Sequence, residues 1–224
     1  MEELLSYRLA DLLLFSESTY LRQFERYNQW LYPGQYIAAI YGLLVLVFIT
    51  RFNLFLNRIL FMIQGLCWLL TSYGFLWQFY QSINWMVLYF IPVFIIQGFI
   101  FLRLGFKQNL ILAKGRVLFS GLILWFLALI FNPVLEFSTQ RNFSELSCFL
   151  LTPDSIAVTS VATMMLFNQK WLWFIPSFSW LVFSLLTYLS MESYSVLIPG
   201  MSLIIIMIYL LTPLNRLSAN KPTL

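Results

Sequence analysis

The sequence predicts an all-α protein, a polytopic transmembrane helical bundle, on three observations. Of its 224 residues 61 % are apolar and only 10 % are charged, where a soluble domain carries about a quarter charged residues. Apolar tracts of the length that crosses the roughly 30 Å hydrocarbon layer as a helix recur along the chain after Pro33. Lys and Arg fall singly at the ends of those tracts, which is the pattern of membrane orientation and leaves no basic groove for nucleic acid. The mean hydropathy of +0.82 agrees.

Composition also excludes function classes. With no histidine, and with Cys67 and Cys148 as the only thiols, a His-based hydrolase, a His-ligated haem protein and a four-ligand zinc centre are ruled out. The sequence holds no phosphate-binding GxxxxGK[ST] loop and no GxGxxG fingerprint, so no cofactor and no metal are expected.

The first thirty residues lack the positive start of a secretory signal, since Glu2 and Glu3 stand there and Arg8 and Asp11 interrupt the apolar run. From Ser16 the pattern is that of an amphipathic helix. Ser16 is an N-cap, and Tyr20, Phe24, Tyr27 and Leu31 recur at helical spacing opposite Arg22, Glu25, Arg26 and Gln29. Two arrangements satisfy that face: it lies in the headgroup plane and offers Tyr20, Phe24 and Tyr27 as an interface to lipid or a protein partner, or it packs on the bundle.

Six tracts pass the length test: Pro33 to Thr50, Ile59 to Tyr80, Ile83 to Leu102, Val117 to Phe137, Trp171 to Leu189 and Tyr194 to Leu211. Cys148 to Phe167 carries Thr152, Pro153, Asp154, Ser155, Thr159, Ser160 and Thr163 and crosses only if these are tolerated inside. Seven spans are preferred, because nine basic residues then fall on one side against four on the other. Six spans plus a re-entrant segment is the alternative. The regions expected are an N-terminal amphipathic segment 1–32, a bundle 33–211 and a cytoplasmic tail 212–224, in a multi-pass inner-membrane protein with its N-terminus outside. Trp30, Tyr32, Tyr36, Tyr80, Trp85, Tyr89, Trp171 and Trp173 fall where interfacial belts are expected. Arg103, Lys107, Lys114 and Arg116 form an inner loop suited to anionic lipid headgroups.

Chemistry is most concentrated in Leu150 to Phe167. Ser155, Thr159 and Thr163 are four apart and share a helix face, bordered by Thr152 and Ser160. Pro153 suits the first turn with Thr152 as its cap, which puts Asp154 at a helix N-terminus. The functional reading is a polar vestibule for a cation or small polar solute, with Asn132 and Glu136 completing it from the fourth span. The structural reading makes Asp154 a helix cap and Glu136 part of the outer loop with Arg141 and Glu145. Gln64, Gln78 and Gln97 need partners inside apolar spans and are candidates for interhelical bonds. A transporter or channel is thus the leading expectation. A membrane subunit or binding module, with a protein partner or a second copy, is the alternative. An intramembrane aspartyl enzyme would need paired carboxylates, for which only Glu136 could serve.

Tyr7, Arg8, Asp11, Phe15, Ser16 and Tyr20, followed by Tyr27, Asn28 and Pro33, resemble the opening of a family of bacterial multi-spanning proteins, domain of unknown function 6064. The family's later signature, Thr-Pro-Cys-Pro, a Thr-rich span, then Ile-Pro and Trp, is similar to Thr152, Pro153, Thr159, Thr163, Ile175, Pro176 and Trp180. Asp154 and Ser155 stand where the family has Cys-Pro, so a thiol role does not carry over. The resemblance implies a bacterial inner-membrane location and no defined activity.

Overall fold

The computed structural model describes residues 15–211 apart from 52, 108 and 140. The expectations for Tyr7, Arg8 and Asp11 and for the tail 212–224 therefore lie outside the described residues. Among the described residues eight helices longer than a single turn follow in order: α1 (Glu17–Leu31), α2 (Gly34–Arg51), α3 (Leu54–Ser82), α4 (Trp85–Gly105), α5 (Gly115–Ser138), α6 (Pro153–Leu166), α7 (Trp171–Ser190) and α8 (Tyr194–Leu211). Among the described residues there is no strand.

Ser16 caps α1 as expected, its hydroxyl accepting from the Thr19 amide at 3.3 Å. Of the two arrangements for the aromatic face, the structure has the second. Tyr20, Phe24 and Tyr27 are buried and meet the rings of Phe75, Tyr80 and Tyr188, so this face is taken by the chain's own bundle and is not free for lipid or a partner. Burying each ring is worth about 1.5–3 kcal/mol relative to water, which holds α1 against the bundle. Tyr80 is correspondingly a core residue, not part of an interfacial belt, whereas Tyr32, Trp85, Tyr89 and Trp171 are exposed.

Six helices, α2, α3, α4, α5, α7 and α8, are long and apolar enough to cross a membrane by length and composition. That fits the six-span alternative. The remaining segment is α6, 14 residues long and buried at every position, packed by α3, α5, α7 and α8. At about 21 Å it is shorter than the hydrocarbon layer. Its hydrogen bonds set it antiparallel to α3: Thr71 donates to the Leu151 carbonyl, the Trp68 indole to Ser160 and Gln64 to Thr163. Just before α6, Ser147 meets Glu136 at the end of α5, and at its far end Leu166 accepts from Ala113 at the start of α5. The segment thus lies beside α5 within the bundle and is not one of the six long apolar helices, as the alternative of six spans plus a re-entrant segment expects.

Close packing explains how a short helix can be enclosed. A Cβ on Gly121 of α5 would lie 3.1 Å from the Ala162 carbonyl of α6, and Cβ atoms on Gly65 and Gly98 would lie 2.9 and 3.1 Å from each other's carbonyl oxygens across α3 and α4. Backbones approach only where no side chain intervenes. Two helices are also widened locally to π geometry, α3 over Ser72–Phe79 and α5 over Leu127–Phe131. In α5 the cause is Pro133, which has no N–H to offer the Leu129 carbonyl one turn back.

The two ends of the bundle differ in charge. One gathers Arg58, Arg103, Lys107 and Lys170, with Arg58 donating to the Lys107 carbonyl and Lys107 to Gln169. The other gathers Glu17, Glu136, Arg141, Glu145 and Glu192.

Candidate functional site

Asp154 lies in the first turn of α6 and is 2 % exposed. Its oxygens are held by two neutral donors from α7, the Trp180 indole to Oδ1 at 2.8 Å and the Tyr188 hydroxyl to Oδ2 at 2.7 Å. Trp180, Ser184 and Tyr188 are spaced by four, so one face of α7 presents all three toward α6. Neither expectation describes this carboxylate: it does not face an open vestibule and it does not cap its helix. Thr152 does not cap α6 either, since its hydroxyl donates back to the Cys148 carbonyl at 3.0 Å.

The hydroxyl stripe is real as a face, but its groups are committed to α6 itself and to neighbouring segments. Thr159 donates to the Ser155 carbonyl and Thr163 to the Thr159 carbonyl, at 2.8 and 2.9 Å. Ser155 accepts from the Leu150 amide. Thr163 and Ser160 also receive the Gln64 amide and the Trp68 indole, at 2.6 and 2.7 Å. Gln64 and Gln97 make the expected interhelical bonds, Gln97 to the Trp173 carbonyl, while Gln78 is exposed.

Glu136 is 1 % exposed and does not sit in a solvated loop. Arg141 donates to its Oε1 at 3.0 Å, and Ser147 binds it through both amide and hydroxyl at 2.6 Å. Arg141 reaches on to Ser193 and to Glu17, at 3.2 and 3.4 Å. These are the ion pairs among the described residues; none involves Asp154. Asn132 is buried near Glu136 on α5, its Nδ2 without a partner among the described residues.

Tyr20 links α1 to this centre. Its ring meets that of Tyr188 edge-on at 6.0 Å, and burial, followed by the Asp154 charge, holds its phenol well above the usual range. At the acidic end of the bundle a cavity of about 390 Å³ is lined by Glu17, Arg141, Glu145, Glu192 and Ser193. Among the described residues no group of three acidic or thiol side chains could hold a metal ion.

The sequence reading missed Trp180 and Tyr188 as partners of Asp154, and Arg141 with Ser147 as partners of Glu136. The signal available was the Trp180, Ser184, Tyr188 spacing, polar-capable residues on one face of an otherwise apolar span.

The sequence profile of DUF6064, a family of unknown function, matches residues 17–216. The chain belongs to this family. In this DUF6064 protein the segment that carries the resemblance, from Thr152 to Trp180, is the one that builds the buried site, with Trp180 donating directly to Asp154. No curated protein and no solved structure matches the chain.

Proposed function

We propose that this membrane protein is a small carrier for a cation, the proton being the smallest case, with Asp154 as its intramembrane charge. The observation that carries the reading is the setting of Asp154: a buried carboxylate in a membrane protein, held by neutral donors with no cation paired to it among the described residues. Ionisable side chains in that setting mark ion or proton paths. Three features support it. The acidic cavity at Glu17, Glu145 and Glu192 concentrates cations at one mouth. Tyr188 donates to Asp154, and the Tyr20 ring of α1 packs on Tyr188. Widened turns in α3 and α5 flank the enclosed helix, and such turns recur at functional sites. The sealed geometry favours a carrier with an occluded state over an open channel. The proposed setting is the inner membrane, with the basic end of the bundle cytoplasmic and the acidic mouth outside.

Purified protein in liposomes, loaded with a pH-sensitive dye and then with a cation-sensitive one, is expected to pass the ion down an imposed gradient. Asp154→Asn lowers the flux at least tenfold. Equal flux in the variant removes Asp154 from the mechanism.

A second reading, a membrane subunit, is favoured by one observation. A cleft of about 840 Å³ opens between α1, α2, α5 and residues 143–149, lined by Asn28, Tyr32, Tyr36, Phe143 and Cys148. Several of its aromatics are exposed, and a stoichiometric partner lost on Tyr36→Ser with Phe143→Ser would establish it.

A further inference from the structure

At the basic end a second cavity, of about 590 Å³, has a different chemistry. Its lining combines three cations, Arg103, Lys107 and Lys170, with the apolar side chains of Ile96, Phe99, Ile100, Phe106 and Trp173. The three cations come from different places, Arg103 from the last turn of α4, Lys107 from the connection after it and Lys170 from just before α7. They converge because the backbone is fixed there: Arg58 holds the Lys107 carbonyl, Lys107 holds Gln169, and Gln97 holds the Trp173 carbonyl.

No described carboxylate neutralises them. The ion pairs of the described residues all belong to Arg141 at the other end. Burial, then the neighbouring charges of Lys170 and Arg103, lowers the Lys107 ammonium from its usual range. Converging, uncompensated cations with free N–H groups are a place for an anion with several oxygens.

The apolar part of the lining decides which anion. Ile96 and Phe99 are 54 % and 60 % exposed on the outer side of a membrane-crossing helix, where acyl chains run. From Arg103 back to Ile96 is about 10 Å along the helix axis, so one molecule with a charged head and an apolar tail contacts both levels. A free phosphate would leave the apolar part unfilled.

We propose that Arg103, Lys107 and Lys170 form a discrete binding site for one anionic phospholipid, phosphate at the cations and an acyl chain along Ile96, Phe99 and Ile100. The site departs from the loop cluster expected from sequence: Lys170 joins it, and Lys114 and Arg116, both exposed, do not line it. It is independent of any role for Asp154.

The test compares matched charge removals in neutral detergent, where no membrane surface potential contributes. Binding of phosphatidylglycerol is measured by native mass spectrometry, with phosphatidylcholine and inorganic phosphate as parallel probes. Each cavity cation is expected to contribute about fivefold. Lys107→Gln with Lys170→Gln thus weakens phosphatidylglycerol binding on the order of 25-fold, Lys114→Gln with Arg116→Gln changes it less than threefold, and Lys107→Arg with Lys170→Arg retains it. Equal losses in the two Gln pairs would overturn the site in favour of diffuse attraction. Binding of inorganic phosphate as tight as that of the lipid would overturn the lipid assignment, and so would undiminished binding in the cavity pair. Monodisperse elution of every variant confirms that loss of binding is not loss of fold.

Discussion

At the scale of single residues, the protein keeps two carboxylates inside by different means. Glu136 has a cation, Arg141, and a serine that donates twice. Removing one partner of a buried pair leaves the other charge uncompensated, at a cost of about 3–5 kcal/mol, whereas replacing both is far milder. Glu136→Gln alone is therefore expected to lower thermal stability strongly in detergent. Glu136→Gln combined with Arg141→Met recovers most of it, a double-mutant cycle that an uncoupled pair would fail. Asp154 has neutral donors only. Trp180→Phe keeps the ring and deletes the 2.8 Å bond, so a loss of about 1.5–3 kcal/mol is expected by denaturant titration; no loss would mean that the bond contributes nothing net. The type and spacing of Asp154, Thr159 and Thr163 were legible in the sequence because they are local. Their partners were not, because Trp180 and Tyr188 lie 26 and 34 positions away, and which face of α7 turns toward α6 is decided by packing.

At the scale of elements, the helices fall where apolar runs place them, and their boundaries follow polar caps and prolines that the sequence displays. What it did not display is how close two helices come. Gly65 and Gly98 have no motif spacing with each other, yet they bring α3 and α4 into backbone contact. Gly98→Ala puts a methyl 2.9 Å from Leu69 and 3.1 Å from the Gly65 carbonyl. The leucine can rotate but the carbonyl cannot, so a loss of about 1–3 kcal/mol is expected. Gly200→Ala is the contrast, since its new Cβ meets only Leu185 at 3.7 Å; a thermal scan showing the same loss in both would refute the close-approach account. For α1, amphipathicity left two arrangements open because lipid and a protein core satisfy an aromatic face equally well. Rings from α3 and α7 decided it.

At the scale of the whole molecule, membrane class and number of long helices follow from composition and length, which depend on no particular neighbour. The course of residues 148–167 did not follow, because a polar helix inside a bundle has no hydropathy signature of its own. Charge asymmetry between the ends sets the expected orientation. In a Cys67→Ser, Cys148→Ser background, a cysteine at Glu192 is expected to react with a membrane-impermeant maleimide from outside intact cells, and one at Lys114 only after permeabilisation. The reverse pattern would invert the protein in the bilayer and place the lipid site in the opposite leaflet.

The complete enclosure of α6 bears on how the chain is made. A helix carrying an aspartate and four hydroxyls between Asp154 and Thr163 has little reason to leave the translocon for lipid by itself, since polar groups without partners are costly in hydrocarbon. The donors that satisfy it, Trp180 and Tyr188, are synthesised after it. Its insertion must therefore wait on a later helix, and biogenesis of this bundle cannot be a simple span-by-span handover from ribosome to membrane.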